Sequence, residues 1–174
     1  MDLLEKVVRT VPILAARITP RYVYITETRS SFERDAYRQI FAEKILIPLR
    51  EHNPGIYQTQ ELRLEVSLGE LYANAIIHGN QAGTKEDYEK RGLPLPEKVE
   101  TNRQKKVVLE AIIGTGYCIF SVQDEGDWTD LAGAIERSKQ TGQQELSGRG
   151  LGIIVGFVDH QLMIDGKVVI VKLF

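Results

Sequence analysis

A single cysteine, Cys118, stands in a chain of 174 residues, so no internal disulfide can form. It lies in the apolar run Tyr117-Cys118-Ile119-Phe120, which reads as core packing rather than as an exposed nucleophile. A basic excess is missing too. There are 22 lysines and arginines against 24 acidic residues, a formal net charge of -2, and that balance gives no reason to expect direct contact with nucleic acid. No stretch is apolar enough to span a membrane. The first residues, Met-Asp-Leu-Leu-Glu-Lys, lack a basic start followed by an apolar region, so the expectation is no secretory signal and a cytoplasmic protein. None of the histidines forms a pair with metal-ligand spacing. No internal repeat or low-complexity tract is evident.

What remains is an ordinary globular composition, 43% hydrophobic and 26% charged, in a length that suits one domain. Leu3, Leu4, Val7, Val8, Val11 and Leu14 recur at helical spacing, interrupted by Pro12. This predicts an N-terminal helical extension over residues 1–20, packed on the domain or on a second subunit. The main domain is expected over 21–174. Residues 21–28 are β-branched and aromatic and predict a strand. Ser30 or Ser31 is a candidate N-cap for a helix to about Arg50, with Phe32, Ala36, Ile40, Phe41, Ile45 and Leu49 on its apolar face. Asn53-Pro54-Gly55 ends it.

A second long helix is predicted from Gln58 to His78-Gly79-Asn80, with Gly79 as its C-terminal stop. Leu62, Val66, Ala73 and Ile76 lie on one side and Leu64, Leu68, Leu71 and Ala75 on another, so it reads as largely buried. Residues 81–104 are polar and carry Pro94 and Pro96. They predict an exposed insertion with a short helix near Lys85–Arg91. Strands follow at 105–113 and 117–124, turned by Gly114-Thr115-Gly116, then a short helix at 129–138 and an apolar helix after Gly148. Two last strands, 160–164 and 168–173, are turned by Asp165-Gly166-Lys167. Hairpins plus long helices predict an α+β fold. It is a two-layer α/β sandwich whose mostly antiparallel sheet is covered on one face by helices.

Three places carry chemistry. Glu70, Asn74 and His78 are four apart and share one stripe of an otherwise apolar helix. An asparagine there needs a partner, which a side chain, a water or a ligand would supply equally well. A carboxylate and an amide oxygen on one face suit magnesium, a hard cation that also keeps waters and phosphates. Asp124-Glu125-Gly126 ends a strand. Its carboxylate is an acceptor for an exocyclic amine and its glycine admits a flat ring, although a plain Asp-Gly turn has the same sequence. The run Ser147-Gly148-Arg149-Gly150-Leu151-Gly152 precedes an apolar helix, where backbone N–H groups and the helix dipole favour phosphate. It is neither a P-loop nor a dinucleotide fingerprint.

Taken in order, these segments resemble the three nucleotide-binding boxes of the GHKL (Bergerat-fold) ATPases, which include DNA gyrase and the sensor histidine kinases. Glu70–Gly79 is similar to the N box, Asp124–Gly126 to the first glycine box and Gly148–Gly152 to the second. Within that superfamily the run Asn74-Ala-Ile-Ile-His-Gly79 is most similar to anti-sigma-factor serine/threonine kinases. The resemblance implies ATP and magnesium as cofactors. It implies Glu70 as the acid-base residue and Asn74 as the magnesium ligand. Asp124 would bind the adenine amine, with Gly126 beneath the ring, and Gly148, Gly150 and Gly152 would wrap the phosphates. Arg149 and Leu151 belong to that last loop, Arg149 either touching phosphate or exposed, and His78 caps or packs at the helix end.

The implied partners are a sigma factor and a small antagonist protein, with no nucleic acid and no membrane. Such kinases commonly form homodimers. The first glycine box departs from Asp-x-Gly-x-Gly at Trp128, which would narrow the pocket, stack near the nucleotide or cover the core. That departure motivates the alternative of a nucleotide-gated binding module without significant kinase activity. A detached histidine-kinase domain fits less well, because no hairpin bearing a phospho-accepting histidine is present and His52 stands at a helix end.

Overall fold

The computed structural model describes residues 2–18, 21–126 and 154–174. Five strands form one antiparallel sheet in the order β1-β2-β3-β5-β4. They are β1 (Tyr22–Ser30), β2 (Lys106–Gly114), β3 (Tyr117–Gln123), β4 (His160–Ile164) and β5 (Lys167–Leu173). Each predicted hairpin is present. The β2–β3 turn carries Gly116 at φ +82°, and Asn53 pins it, with Nδ2 donating to Gly114 O at 3.2 Å and Oδ1 accepting from Gly116 N at 2.7 Å. The fold is α+β, with a helical layer on one sheet face, as the pattern of elements predicted.

That layer holds α2 (Ala36–Ile40), α3 (Leu46–His52) and α4 (Gln58–Asn74). A wide π-type turn, Phe41–Ile45, joins α2 to α3 just ahead of Pro48. Proline cannot donate to the carbonyl four residues back and its ring crowds it, so the looser turn relieves the conflict. Ile40, Phe41, Ile45, Leu49, Leu64 and Leu68 pack on Leu109, Ala111, Ile113, Phe120 and Ile170.

Alternate residues of the same strands face the other way. There Ile112, Tyr117, Ile119, Val169 and Val171 meet Leu4, Val7, Val11 and Leu14, from α1 (Leu3–Thr10) and the 3-10 turn Pro12–Leu14. The N-terminal apolar stripe is therefore spent on its own sheet. Asp2 caps α1 by accepting the Glu5 N–H at 2.8 Å, and Arg17 donates to Phe174 O at 2.8 Å. No helix among the described residues is long and apolar enough to cross a membrane.

Several local expectations change. The first helix begins at Ala36, because Ser30 ends β1 and Ser31 turns out of it as a buried hydrogen-bond acceptor. Phe32 therefore precedes the helix and is 67% exposed, with the Arg103 guanidinium over its ring. Leu62 and Val66 are exposed, so the early part of α4 buries only its Leu64 and Leu68 side. Residues 81–104 are largely exposed and hold the expected short helix as α5 (Lys85–Lys90), but they also hold α6 (Val99–Asn102) and dock by burying Ala82, Tyr88, Val99 and Asn102. The helix expected at 129–138 lies outside the described residues.

Candidate nucleotide site

Helix α4 is built to hold its C-terminal end still. Gln60 Oε1 accepts the Tyr57 N–H at its start. Glu61, in the first turn, takes a two-pronged bond from Arg50, Nε to Oε1 at 2.6 Å and Nη2 to Oε2 at 2.8 Å. Although burial works against it, that pairing holds the Glu61 carboxyl below its ordinary value, the Arg50 hydrogen bond being the largest influence. Leu64, Leu68, Leu71, Tyr72, Ala75 and Ile76 then fix the helix against the core.

Glu70 is partly buried and lines a cavity of about 440 Å³ together with Arg34, Asp35, Tyr37, Gly69 and Ala73. Asn74, one turn on, is only 4% exposed. After Asn74 the helix widens into a π-type turn, Ala75–Gly79, and Asn80 N–H bonds Ala75 O at 2.7 Å. Such turns re-aim side chains and occur often at functional sites. Gly79 is the last residue of that turn, the stop expected of it, but without a left-handed backbone. The residue with positive φ is Gln81, at 54°.

Gly79 is required for a different reason. A methyl group on it would sit 2.1 Å from the Asp124 carboxylate. One on Gly126 would sit 1.8 Å from Gly79 O. The N-box end and the end of β3 thus meet backbone to backbone, and Asp124 lies over the bare glycine with Oδ1 accepting the Gly126 N–H at 2.8 Å. Asn80 clamps the junction. It is fully buried, donates to Ser31 Oγ at 2.7 Å and Lys106 O at 2.9 Å, and accepts the Glu125 N–H at 2.8 Å. Sequence reading took Asn80 only as part of a helix stop. Its signal was an asparagine beside a glycine that ends a buried helix.

The other residue missed is Arg91. Its Nη1 donates to Asn74 Oδ1 at 2.9 Å and lies 3.1 Å from His78 Nε2. Loss of water around the His78 ring, and then the nearby Arg91 charge, push the imidazole below its ordinary value. A neutral ring with Nε2 accepting matches that contact. The available signal was the capping pair Thr84-x-x-Asp87, which announces a real helix leading into Arg91.

Asp124 and Gly126 thus meet the end of the helix that carries Asn74 and His78, while Glu70, one turn earlier, faces the cavity lined by Arg34 and Tyr37. Gly148, Arg149, Gly150, Leu151 and Gly152, with Trp128, lie outside the described residues. Among the described residues no cluster of three or more His, Cys, Asp or Glu would hold a metal alone. The Asn74 amide oxygen is of the type magnesium takes when phosphates and water complete its shell, and in this structure its partner is the Arg91 side chain.

The model of the histidine kinase-like ATPase domain matches residues 36–172. The chain belongs to that family. Domains of this kind bind ATP. No curated protein matches the chain closely enough to count as a relative.

Proposed function

We propose that the chain is an ATP- and magnesium-dependent serine/threonine kinase of the anti-sigma type, holding a sigma factor and phosphorylating a small antagonist protein. The supporting observation is Asn74, a buried amide one helical turn from Glu70, on the helix whose end meets Asp124 at Gly79. In this reading Glu70 takes the proton of the attacking hydroxyl as its oxygen bonds the terminal phosphorus and the bond to ADP breaks. Asp124, held over Gly79, receives the adenine amine. The resemblance assigns phosphate binding to Gly148–Gly152, with Arg149 and Leu151. Magnesium, when bound, neutralises charge on the phosphates, so most of the rate comes from positioning and electrostatics.

Glu70→Gln is expected to retain ATP affinity by calorimetry and to lose phosphoserine formation on the antagonist. Asn74→Ala should weaken magnesium-ATP binding at least tenfold. Undiminished transfer by Glu70→Gln would overturn the role given to Glu70. A second reading, a nucleotide-gated binding module without kinase turnover, draws on the Arg91 guanidinium standing at Asn74 Oδ1. It expects nucleotide-dependent partner affinity and no phosphoprotein by mass spectrometry.

A further inference from the structure

Arg91 comes from the segment 81–104, not from the three boxes, and that segment holds it firmly. Thr84 and Asp87 close a capping box, with Thr84 N–H donating to Asp87 Oδ2 at 2.6 Å. Asp87 also pairs with Arg34 at 2.5 Å, which ties α5 to the residues just ahead of α2. Tyr88, buried, donates from its hydroxyl to Ile77 O at 3.0 Å, inside the π-type turn that follows Asn74. Gly92, at φ +63°, then turns the chain away. These anchors aim the arginine at the N-box face.

A divalent cation on Asn74 Oδ1 would bond at about 2.1 Å and keep several waters around it. Arg91 Nη1 stands 2.9 Å from the same oxygen and fills part of that shell with like charge. The oxygen has a second lone pair, but a dication bound there would stand beside the guanidinium charge, so each disfavours the other. We propose that Arg91 competes with the divalent cation for Asn74 Oδ1, so that α5 sets the magnesium concentration at which the site takes its nucleotide. The proposal rests on Asn74 as the magnesium ligand. It makes Arg91 a specificity-determining residue. With Arg91 seated, its guanidinium is the positive charge beside Asn74. With Arg91 withdrawn, the oxygen is open to the metal.

The test is ATP binding by calorimetry across a magnesium titration, on wild type, Arg91→Met, Arg91→Lys and Asn74→Ala. Arg91→Met should lower the half-saturating magnesium concentration at least fivefold. It should also weaken ATP binding in chelator. Arg91→Lys, which keeps a cation in reach, should stay within about twofold of wild type. An Arg91→Met titration that overlays wild type, while Asn74→Ala loses the magnesium response, overturns this inference and leaves the magnesium role of Asn74 standing. If neither wild type nor Asn74→Ala shows a magnesium response, the reading of Asn74 falls and this inference with it. Thermal melts within about 2 °C of wild type for Arg91→Met exclude a folding defect as the cause of either change.

Discussion

At Gly79 the side chain that is missing matters more than any that is present. An added methyl would overlap the Asp124 carboxylate, which is itself tied to Gly126 N–H. Neither the strand end nor the helix end has room to yield, because Asn80 clamps both. Gly79→Ala is therefore expected to cost about 1–3 kcal/mol in chemical denaturation, the range for an overpacked site. It should also reduce ATP affinity, since Asp124 must move. An alanine variant with unchanged stability and affinity would show that the contact is slack. Asn80 is the complementary case, a side chain whose donors and acceptor are all used in holding three chain segments together. Its loss would leave buried backbone groups unpaired, which is costlier than losing one surface bond.

Among the elements, α5 and α4 carry tyrosines in opposite situations. The Tyr88 hydroxyl donates to Ile77 O and accepts from Gly83 N–H at 3.4 Å, joining α5 to the end of the N-box helix. The Tyr72 hydroxyl is buried with no hydrogen-bond partner among the described residues, its ring tilted against Tyr37 at 5.9 Å. Burial pushes the Tyr72 phenol well above its ordinary value, so it stays neutral. The same change, Tyr to Phe, should then have opposite signs. Tyr88→Phe is expected to destabilise by about 1 kcal/mol, and Tyr72→Phe to be neutral or stabilising by a similar amount. Urea titrations of the two variants beside wild type check both. The contrast also separates docking of α5 from general packing, because only Tyr88→Phe should raise hydrogen exchange at the Arg91 backbone.

Over the whole molecule, the sheet's second face ends in a polar cluster rather than in the apolar contacts of α1. Glu110 accepts from Tyr24 Oη at 2.5 Å, Ser121 Oγ at 2.9 Å and Lys167 Nζ at 2.5 Å, linking β1, β2, β3 and β5. Burial alone would raise the Glu110 carboxyl, but bonds from Lys167, Tyr24 and Ser121 outweigh it and hold the carboxyl below its ordinary 4.5. The hydrogen bond to Glu110, then burial, push the Tyr24 phenol up to about 12. A carboxyl depressed in the folded state favours folding above its ordinary value. That contribution fades as the pH falls from 4.5 through the folded value. Glu110→Gln should flatten stability against pH in that acid window while lowering stability at neutral pH. An unchanged acid slope would remove Glu110 as its source. At the other end of the same face, Leu14→Ala opens a cavity under fully buried apolar side chains, with an expected cost of about 2–5 kcal/mol by denaturation.

What the sequence by itself determined lies in its short-range patterns. β-Branched and aromatic runs and turn residues placed the described strands, helical spacing placed α4, and the order of the boxes pointed to the histidine kinase-like ATPase family. That Glu70 and Asn74 share one helix face was legible because four-residue spacing is a local fact. The tertiary structure decided what depends on residues far apart. A Gly79 that must be bare for Asp124, an Asn80 that bridges to Ser31, Lys106 and Glu125, and an Arg91 brought to Asn74 by α5 have no periodic signature. Phe32 and the early face of α4 went the same way. Apolar spacing shows which residues share a side, and only packing decides which side is covered.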